Sequence, residues 1–274
     1  MIGRCRGHNV TAVLPFARPQ PFVRVSDIRK TFIVPASGWL GFLRKPSQVD
    51  VLRGVSFEIA QGEIFGLLGE NGAGKTTTLH VLAALVSPDS GSVTIGGLDA
   101  CARPAQTRHL VGLCTGADRS FYYRLTLAEN LQFFGSLTGL HGSALQKKID
   151  EVLDLVDLRQ FAGRTYGRCS SGMRQRATIA RSLIAEPPLV LLDEPTRTLD
   201  PVHTRAVRQL VKERLVGKLG KTVVLATNSL EEAWELCDRI AVIKDGRVET
   251  IRRPNQRERP GVEELFGSLA ACDA

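Results

Sequence analysis

Nine residues, Gly69-Glu70-Asn71-Gly72-Ala73-Gly74-Lys75-Thr76-Thr77, constrain this chain more than any other stretch. They match G-x-x-x-x-G-K-[ST], with Gly69, Gly74, Lys75 and Thr76 in the fixed positions. The flanks suit the motif: Ile64–Leu68 reads as a short apolar strand, and Thr77–Val86 as a helix with Leu79, Leu82 and Leu85 spaced for burial. Glycines at 69, 72 and 74 let the amides of the loop, from Asn71 and Ala73 through Thr77, turn inward around an anion. The helix N-terminus adds its partial positive charge. Lys75 supplies a mobile cation for β- and γ-phosphates, and the Thr76 hydroxyl can complete a magnesium shell. Motif and context together indicate a nucleoside triphosphate site rather than an ordinary glycine-rich helix cap.

The 274 residues are enough for one large domain or two small ones, and an apolar share of 43% is ordinary for a globular protein. No apolar run approaches the roughly 20 residues needed to cross a bilayer, so a membrane link has to come through a partner or a surface. Six cysteines at 5, 101, 114, 169, 237 and 272 lack the paired spacing of a metal site or disulfide framework, which favours a reducing cytosol. Residues 1–26 carry Arg4, Arg6, Arg18 and Arg24 and no acid, half of the net charge of +8, and the tail after Asp245 holds Arg247, Arg252, Arg253, Arg257 and Arg259. Such ends can touch anionic lipid or nucleic acid, but more often are solvated arms. The apolar run Val10–Phe16 is interrupted by Pro15 and no small-residue cleavage site follows, which argues against secretion.

Residues 1–21, with Pro15, Pro19 and Pro21, read as a flexible basic lead-in, and 251–274 as a C-terminal tail. Between them, 22–250 form one unit. Phe22–Val34 reads as a strand and its turn with Phe32 exposed, 35–48 as a loop insertion carrying Trp39, Phe42 and Leu43, and Val51–Ile59 as a further strand. Ser92–Ile95 and the Gly96-Gly97 turn complete a small antiparallel sheet with the N-terminal strands. Val111–Cys114 reads as a buried strand, and about 117–172 as an inserted helical subdomain with Leu145, Ile149, Val152, Leu153 and Val156 on one helix face. Beyond it, helices over Ser170–Ala185, Val202–Leu215 and Leu230–Cys237 alternate with strands Leu189–Leu192 and Thr222–Ala226, and Ile240–Ile243 pairs with Arg247–Thr250. The alternation predicts an α/β fold with a mainly parallel sheet and helices on both faces, an N-terminal antiparallel β-subdomain and an inserted α-helical subdomain.

The apolar strand Leu189–Leu192 delivers Asp193 and Glu194 near the phosphate loop, where one acid can hold magnesium and the second orient a water on the γ-phosphate. Cys169-Ser170-Ser171-Gly172-Met173-Arg174-Gln175-Arg176 opens a helix with small residues, a second potential anion site in which Ser170 offers a hydroxyl and Gly172 a bare amide. In isolation it would be a plain helix cap.

Over about residues 22–250 the chain resembles the ATP-binding subunit of ABC transporters, which implies a phosphate-loop NTPase (RecA-like) parallel-sheet core. By that resemblance the phosphate loop is Gly69–Thr76, the signature falls on Cys169–Met173, the catalytic pair on Asp193-Glu194, and the D-loop on Thr198-Leu199-Asp200. It implies ATP and Mg2+ as cofactors, with Thr76 and Asp193 on the metal, Glu194 and Lys75 in catalysis, and Phe32 stacked on adenine. It also implies a dimer with a second ATP-binding subunit, identical or not, whose Ser170 and Gly172 complete the first subunit's site. A separate transmembrane permease is the expected partner, placing the chain in the cytoplasm against the inner face of the membrane. The Ser-Ser-Gly-Met variant, Arg119–Leu127 and Leu230–Val242 look most like exporter ATPases. Two positions depart from the family. Its glutamine after the Val111–Cys114 strand falls on Gly116, leaving Thr115 or Asp118 for that role, and its switch histidine is Asn228. Asparagine donates a hydrogen bond but carries no charge, so slower turnover is expected. The rival readings are a soluble ABC-type ATPase acting on nucleic acid or ribosomes, supported only by the basic ends, and a low-turnover regulatory subunit. A GTPase is disfavoured because no N-K-x-D motif is present.

Overall fold

In a computed structural model describing residues 20–34, 47–116 and 120–254, the alternating patterns resolve into two sheets. The smaller, in the order β2-β1-β4-β5, is antiparallel throughout, formed by β1 (Val23–Val34), β2 (Ser47–Ile59), β4 (Ser90–Ile95) and β5 (Leu98–Asp99). The larger has six strands in the order β10-β9-β3-β8-β7-β6. These are β3 (Ile64–Leu68), β6 (Val111–Thr115), β7 (Leu189–Asp193), β8 (Thr222–Thr227), β9 (Arg239–Lys244) and β10 (Arg247–Arg252). All its pairings are parallel except that of β10 with β9.

The larger sheet is covered on both faces, as its near-continuous apolar strands require. Val190, Leu192, Val223 and Leu225 face one core with the helices α3 (Leu127–Ser136), α4 (Gly142–Leu155) and α5 (Ser171–Leu183). Their alternates Leu189, Leu191, Val224 and Ala226 face the other, filled by the small sheet and α1 (Lys75–Leu82). Successive strand side chains point to opposite faces, so both cores follow from one run of residues. A short helix α2 (Pro104–His109) leads into β6, and α6 (Pro201–Gln209) and α7 (Leu230–Leu236) follow β7 and β8.

Local chemistry fixes where the helices begin. Thr126 and Glu129 form a reciprocal capping box at α3: the Thr126 hydroxyl accepts from Glu129 N at 3.1 Å, and Thr126 N donates to the Glu129 carboxylate at 2.7 Å. Asp200 accepts from Val202 N and His203 N, each at 3.0 Å, and Pro201 supplies a first helical residue that has no amide to satisfy. The stripe Leu145, Ile149, Val152 and Leu153 on α4 is buried, as its spacing predicts.

Four details differ from the sequence reading. Helix α1 stops at Leu82 instead of reaching Val86, because Ala84 turns left-handed at φ +52°. There Ala84 N donates to Val81 O at 3.0 Å and Leu85 N to His80 O at 2.9 Å, the bonding of a Schellman C-cap. Leu85, expected in the core, is thereby 60% exposed. Strand β6 lies at the sheet edge and only alternate residues, Gly112 and Cys114, are buried. Ser47 and Gln48 belong to β2 rather than to the preceding loop. The helix expected over Val202–Leu215 changes after Gln209 into a π-helix, Leu210–Lys218. Trp39, Phe42, Leu43 and the two chain ends, 1–19 and 255–274, lie outside the described residues. Among the described residues no helix is long and apolar enough to cross a membrane.

Candidate functional site

Parallel pairing brings the ends of β3, β6, β7 and β8 to one edge of the larger sheet, the edge where open α/β sheets bind ligands. Register sets the level. Ala226 of β8 pairs with Leu67 of β3 on one side and Asp193 of β7 on the other, so the phosphate-type loop and the acidic pair leave the sheet together. Between them lies a cavity of about 770 Å3, lined by Asn71, Gly72, Gly74, Lys75, Thr76 and Thr77 of the loop and by Asp193, Glu194, Arg197 and Thr198 after β7. That volume is within the usual range for a small-molecule site.

Gly74 caps α1 at φ +103°, a left-handed conformation that side chains resist, and Thr78 N then makes the first helical bond, to Gly74 O at 2.9 Å. The amides of Lys75, Thr76 and Thr77 precede that bond and have no acceptor within the helix. The loop is tied down from behind: Gly246 N donates to Ala73 O at 3.1 Å, and Arg53 N to Gly246 O at 2.8 Å. Gly69 is buried, and Ala73 lines a smaller neighbouring cavity of about 220 Å3. The Lys75 ammonium, 5% exposed, curls over the loop and donates to Gly69 O at 2.8 Å and Glu70 O at 3.0 Å.

Asp193 and Thr76 meet across the cavity floor, where the hydroxyl donates to Asp193 Oδ2 at 2.9 Å. Oδ1 of Asp193 is buried without a hydrogen-bond partner, an uncommon and costly state for a carboxylate oxygen. Burial raises the Asp193 pKa above its ordinary value against the opposing effect of the Thr76 bond, and the Glu194 charge adds to the rise. Burial lowers the Lys75 pKa, while Glu194 and Asp193 hold it up and Arg197 adds slightly to the lowering. An orphaned carboxylate oxygen beside a hydroxyl is what a hard cation seeks, and such ions commonly take few protein ligands, with water and phosphate completing the shell. No cluster of three or more His, Cys, Asp or Glu side chains able to hold a metal occurs among the described residues.

Glu194 sits at φ +47°, a conformation that costs a residue with a side chain about 1–2 kcal/mol and is concentrated at functional sites. Glu194 N bonds to Ala226 O at 2.8 Å, and Arg197 N closes the following turn on Glu194 O at 3.3 Å. The Arg197 guanidinium lies 2.8 Å from Glu194 Oε2, close enough for an ion pair but without the alignment of a hydrogen bond. Sequence reasoning did not single out Arg197. The available signal was a cation three residues after Glu194, with Pro195 between them favouring a turn.

Other expected residues are placed around this centre. Thr115 and Gly116 line the cavity. Gly116 N donates to Asp193 O at 2.9 Å, and a Cβ at 116 would lie 2.7 Å from Glu194 O, so the backbone approach itself excludes a glutamine in this arrangement. Asp118 is outside the described residues. Asn228 follows β8 and is exposed, and it does not line the cavity. Phe32 is also exposed and outside the lining, although its cross-strand partner Val49 belongs to it. Ser170 caps α5 by accepting from Met173 N at 3.2 Å while remaining exposed, so its own O–H is free to donate.

Gly172 is buried. A Cβ there would lie 2.1 Å from Cδ2 of His203, whose ring is held by Asp200 through a 2.5 Å contact between Nδ1 and Oδ2. The starts of α5 and α6 therefore pack ring against backbone. Gly172→Ala is expected to cost about 1–3 kcal/mol from overpacking, read as a lowered Tm, and Gly172→Ala with His203→Ala to recover most of it. An equal loss in both backgrounds would show that this contact does not set the residue at 172.

The family model described as ABC transporter matches residues 52–197, more than half of the chain. The ABC transporter ATP-binding protein NatA of Bacillus subtilis is 37% identical over 207 residues, covering 76% of this chain and 83% of that protein. A Nod factor export ATP-binding protein I of Ralstonia nicotianae is 38% identical over 218 residues, covering 79% of this chain and 66% of that one. The chain spans 66% of that protein's length and 58% of a Nod factor export ATP-binding protein I of Sinorhizobium fredii. The dimeric, post-hydrolysis structure of the ATP-binding cassette MJ0796 bound to ADP and Pi superposes with a TM-score of 0.71 at 27% identity, covering 85% of this chain and 99% of that one. A family model over more than half of the chain and a relative of 37% identity agree, and the chain belongs to the ABC transporter family as an ATP-binding domain.

Proposed function

We propose that the chain binds Mg-ATP in the cavity between Gly69–Thr77 and Asp193-Glu194, hydrolyses it, and drives a separate transmembrane permease, in the direction of export. The observation that carries this reading is the Thr76–Asp193 hydrogen bond, with the orphaned Asp193 Oδ1 beside it, at the mouth of a loop whose first helical amides are unpaired. Thr76 and Asp193 would hold magnesium, which when bound neutralises phosphate charge. Lys75 swings from its loop carbonyls to the β- and γ-phosphates, and the loop amides cradle the same groups. Glu194, held beside the cavity by its turn, accepts a proton from the attacking water. Phe32 stacks on the base. The export-type names of relatives support the direction of transport, and the dimeric cassette supports an arrangement in which Ser170 and Gly172 of a second subunit close over the phosphates.

Asn228 takes the switch histidine's place, and a neutral amide stabilises less of the charge that develops in phosphoryl transfer. Turnover is accordingly reduced. The test is phosphate release by the purified chain. Mg2+-dependent hydrolysis is expected, rising about tenfold or more in Asn228→His, since one electrostatic donor is worth at least that in comparable sites. No hydrolysis by either protein would overturn the enzymatic reading, and an unchanged rate in Asn228→His would overturn the role of Asn228.

A further inference from the structure

Arg197 belongs to none of the motifs read in the sequence, yet it lines the cavity. Among the described residues, the charged side chains lining that cavity are Lys75, Asp193, Glu194 and Arg197, so Arg197 adds a second cation to a lining that holds Lys75 beside two carboxylates. The guanidinium side chain is 57% exposed, and its ion pair with Glu194 has a short distance but no hydrogen-bond alignment. A pair of that kind is held weakly and is readily exchanged. The backbone turn from Glu194 to Arg197 keeps the guanidinium within reach of whatever Glu194 addresses. Asn228, after β8, is uncharged and lies outside the lining.

We propose that Arg197 is a second phosphate-binding cation of this site, exchanging its contact with Glu194 for the terminal phosphate of a bound nucleoside triphosphate. The exchange does two things at once. It places a forked donor on the phosphate oxygens, a geometry suited to bidentate contact. It also frees the Glu194 carboxylate to accept a hydrogen bond from water. In this way the chain supplies from Arg197 part of the charge that Asn228 lacks. The proposal rests on the nucleotide-site reading and adds one residue to it.

The test measures equilibrium binding of a non-hydrolysable ATP analogue and of ADP, both with Mg2+, to the full chain and to Arg197→Gln. The analogue is expected to bind about tenfold more weakly to the variant, the worth of one charged hydrogen bond, while ADP changes less than about twofold. Arg197→Lys should restore part of the loss, and in the Asn228→His background the loss should shrink. Equal weakening of both nucleotides, or tighter binding of the analogue, overturns the proposal, the latter marking Arg197 as only a latch on Glu194. If the unaltered chain binds neither nucleotide, the site reading fails first and the proposal with it. Circular dichroism and thermal melting of Arg197→Gln separate misfolding from lost binding.

Discussion

Lys75→Ala should bind Mg-ATP about 10- to 100-fold more weakly than the unaltered chain, because each charged hydrogen bond to a phosphate is worth about 1.5–3 kcal/mol. The measurement is a calorimetric titration. The ammonium is buried and in the free protein bonds only loop carbonyls, so it is stored beside the cavity at a desolvation cost that burial imposes on its pKa. A triphosphate offers it a counter-charge that Gly69 O and Glu70 O cannot. The fold should survive the substitution, since the loop is anchored independently through Ala73, Gly246 and Arg53. Unchanged ATP affinity in a folded Lys75→Ala protein would remove the loop from the account.

Glu194→Gln should lower turnover by about 100-fold or more while leaving ATP affinity within a few fold, because it removes a proton acceptor and keeps the shape. The side chain is nearly buried, its backbone is held at φ +47°, and among the described residues its ion-pair partner is Arg197. Strain of this kind persists only where the surroundings enforce it, here the Ala226 carbonyl and the turn onto Arg197. A comparison of single-turnover rates with bound-nucleotide counts separates the two effects. Equal hydrolysis by Glu194→Gln and the unaltered chain would transfer the role of proton acceptor to another group.

Much of this site was legible in the sequence because its chemistry is local. Gly74 at positive φ, the amides of a helix start and an acid at a strand end are each written in a few adjacent residues. The covering of the larger sheet on both faces was legible for a similar reason, since the unbroken apolar runs of β7 and β8 need nothing beyond the strand itself. Features that arise from meetings between distant segments were not. The Gly172–His203 contact joins two helix starts, and the sequence supplies a small-residue signature that reads equally well as a phosphate contact. The end of α1 escaped because the left-handed position of its C-cap is filled by Ala84, whereas the usual signal is glycine. The π-helix after Gln209 escaped because apolar spacing reports which face is buried and says little about one extra residue per turn. Arg197 escaped for a different reason: its partner is three residues away, but only the turn after β7 brings the two side chains together.

In the proposed dimer Ser170 of one copy, its hydroxyl proton uncommitted, and the start of α5 complete the cavity of another copy around bound ATP. Light scattering of Glu194→Gln, which should bind ATP without consuming it, decides whether they do. With Mg-ATP the mass should double relative to the nucleotide-free protein, with ADP it should not, and Ser170→Arg should abolish the doubling by placing a bulky side chain at the closing surface. A chain that is saturated with Mg-ATP and keeps the mass of a single copy would contradict the claim.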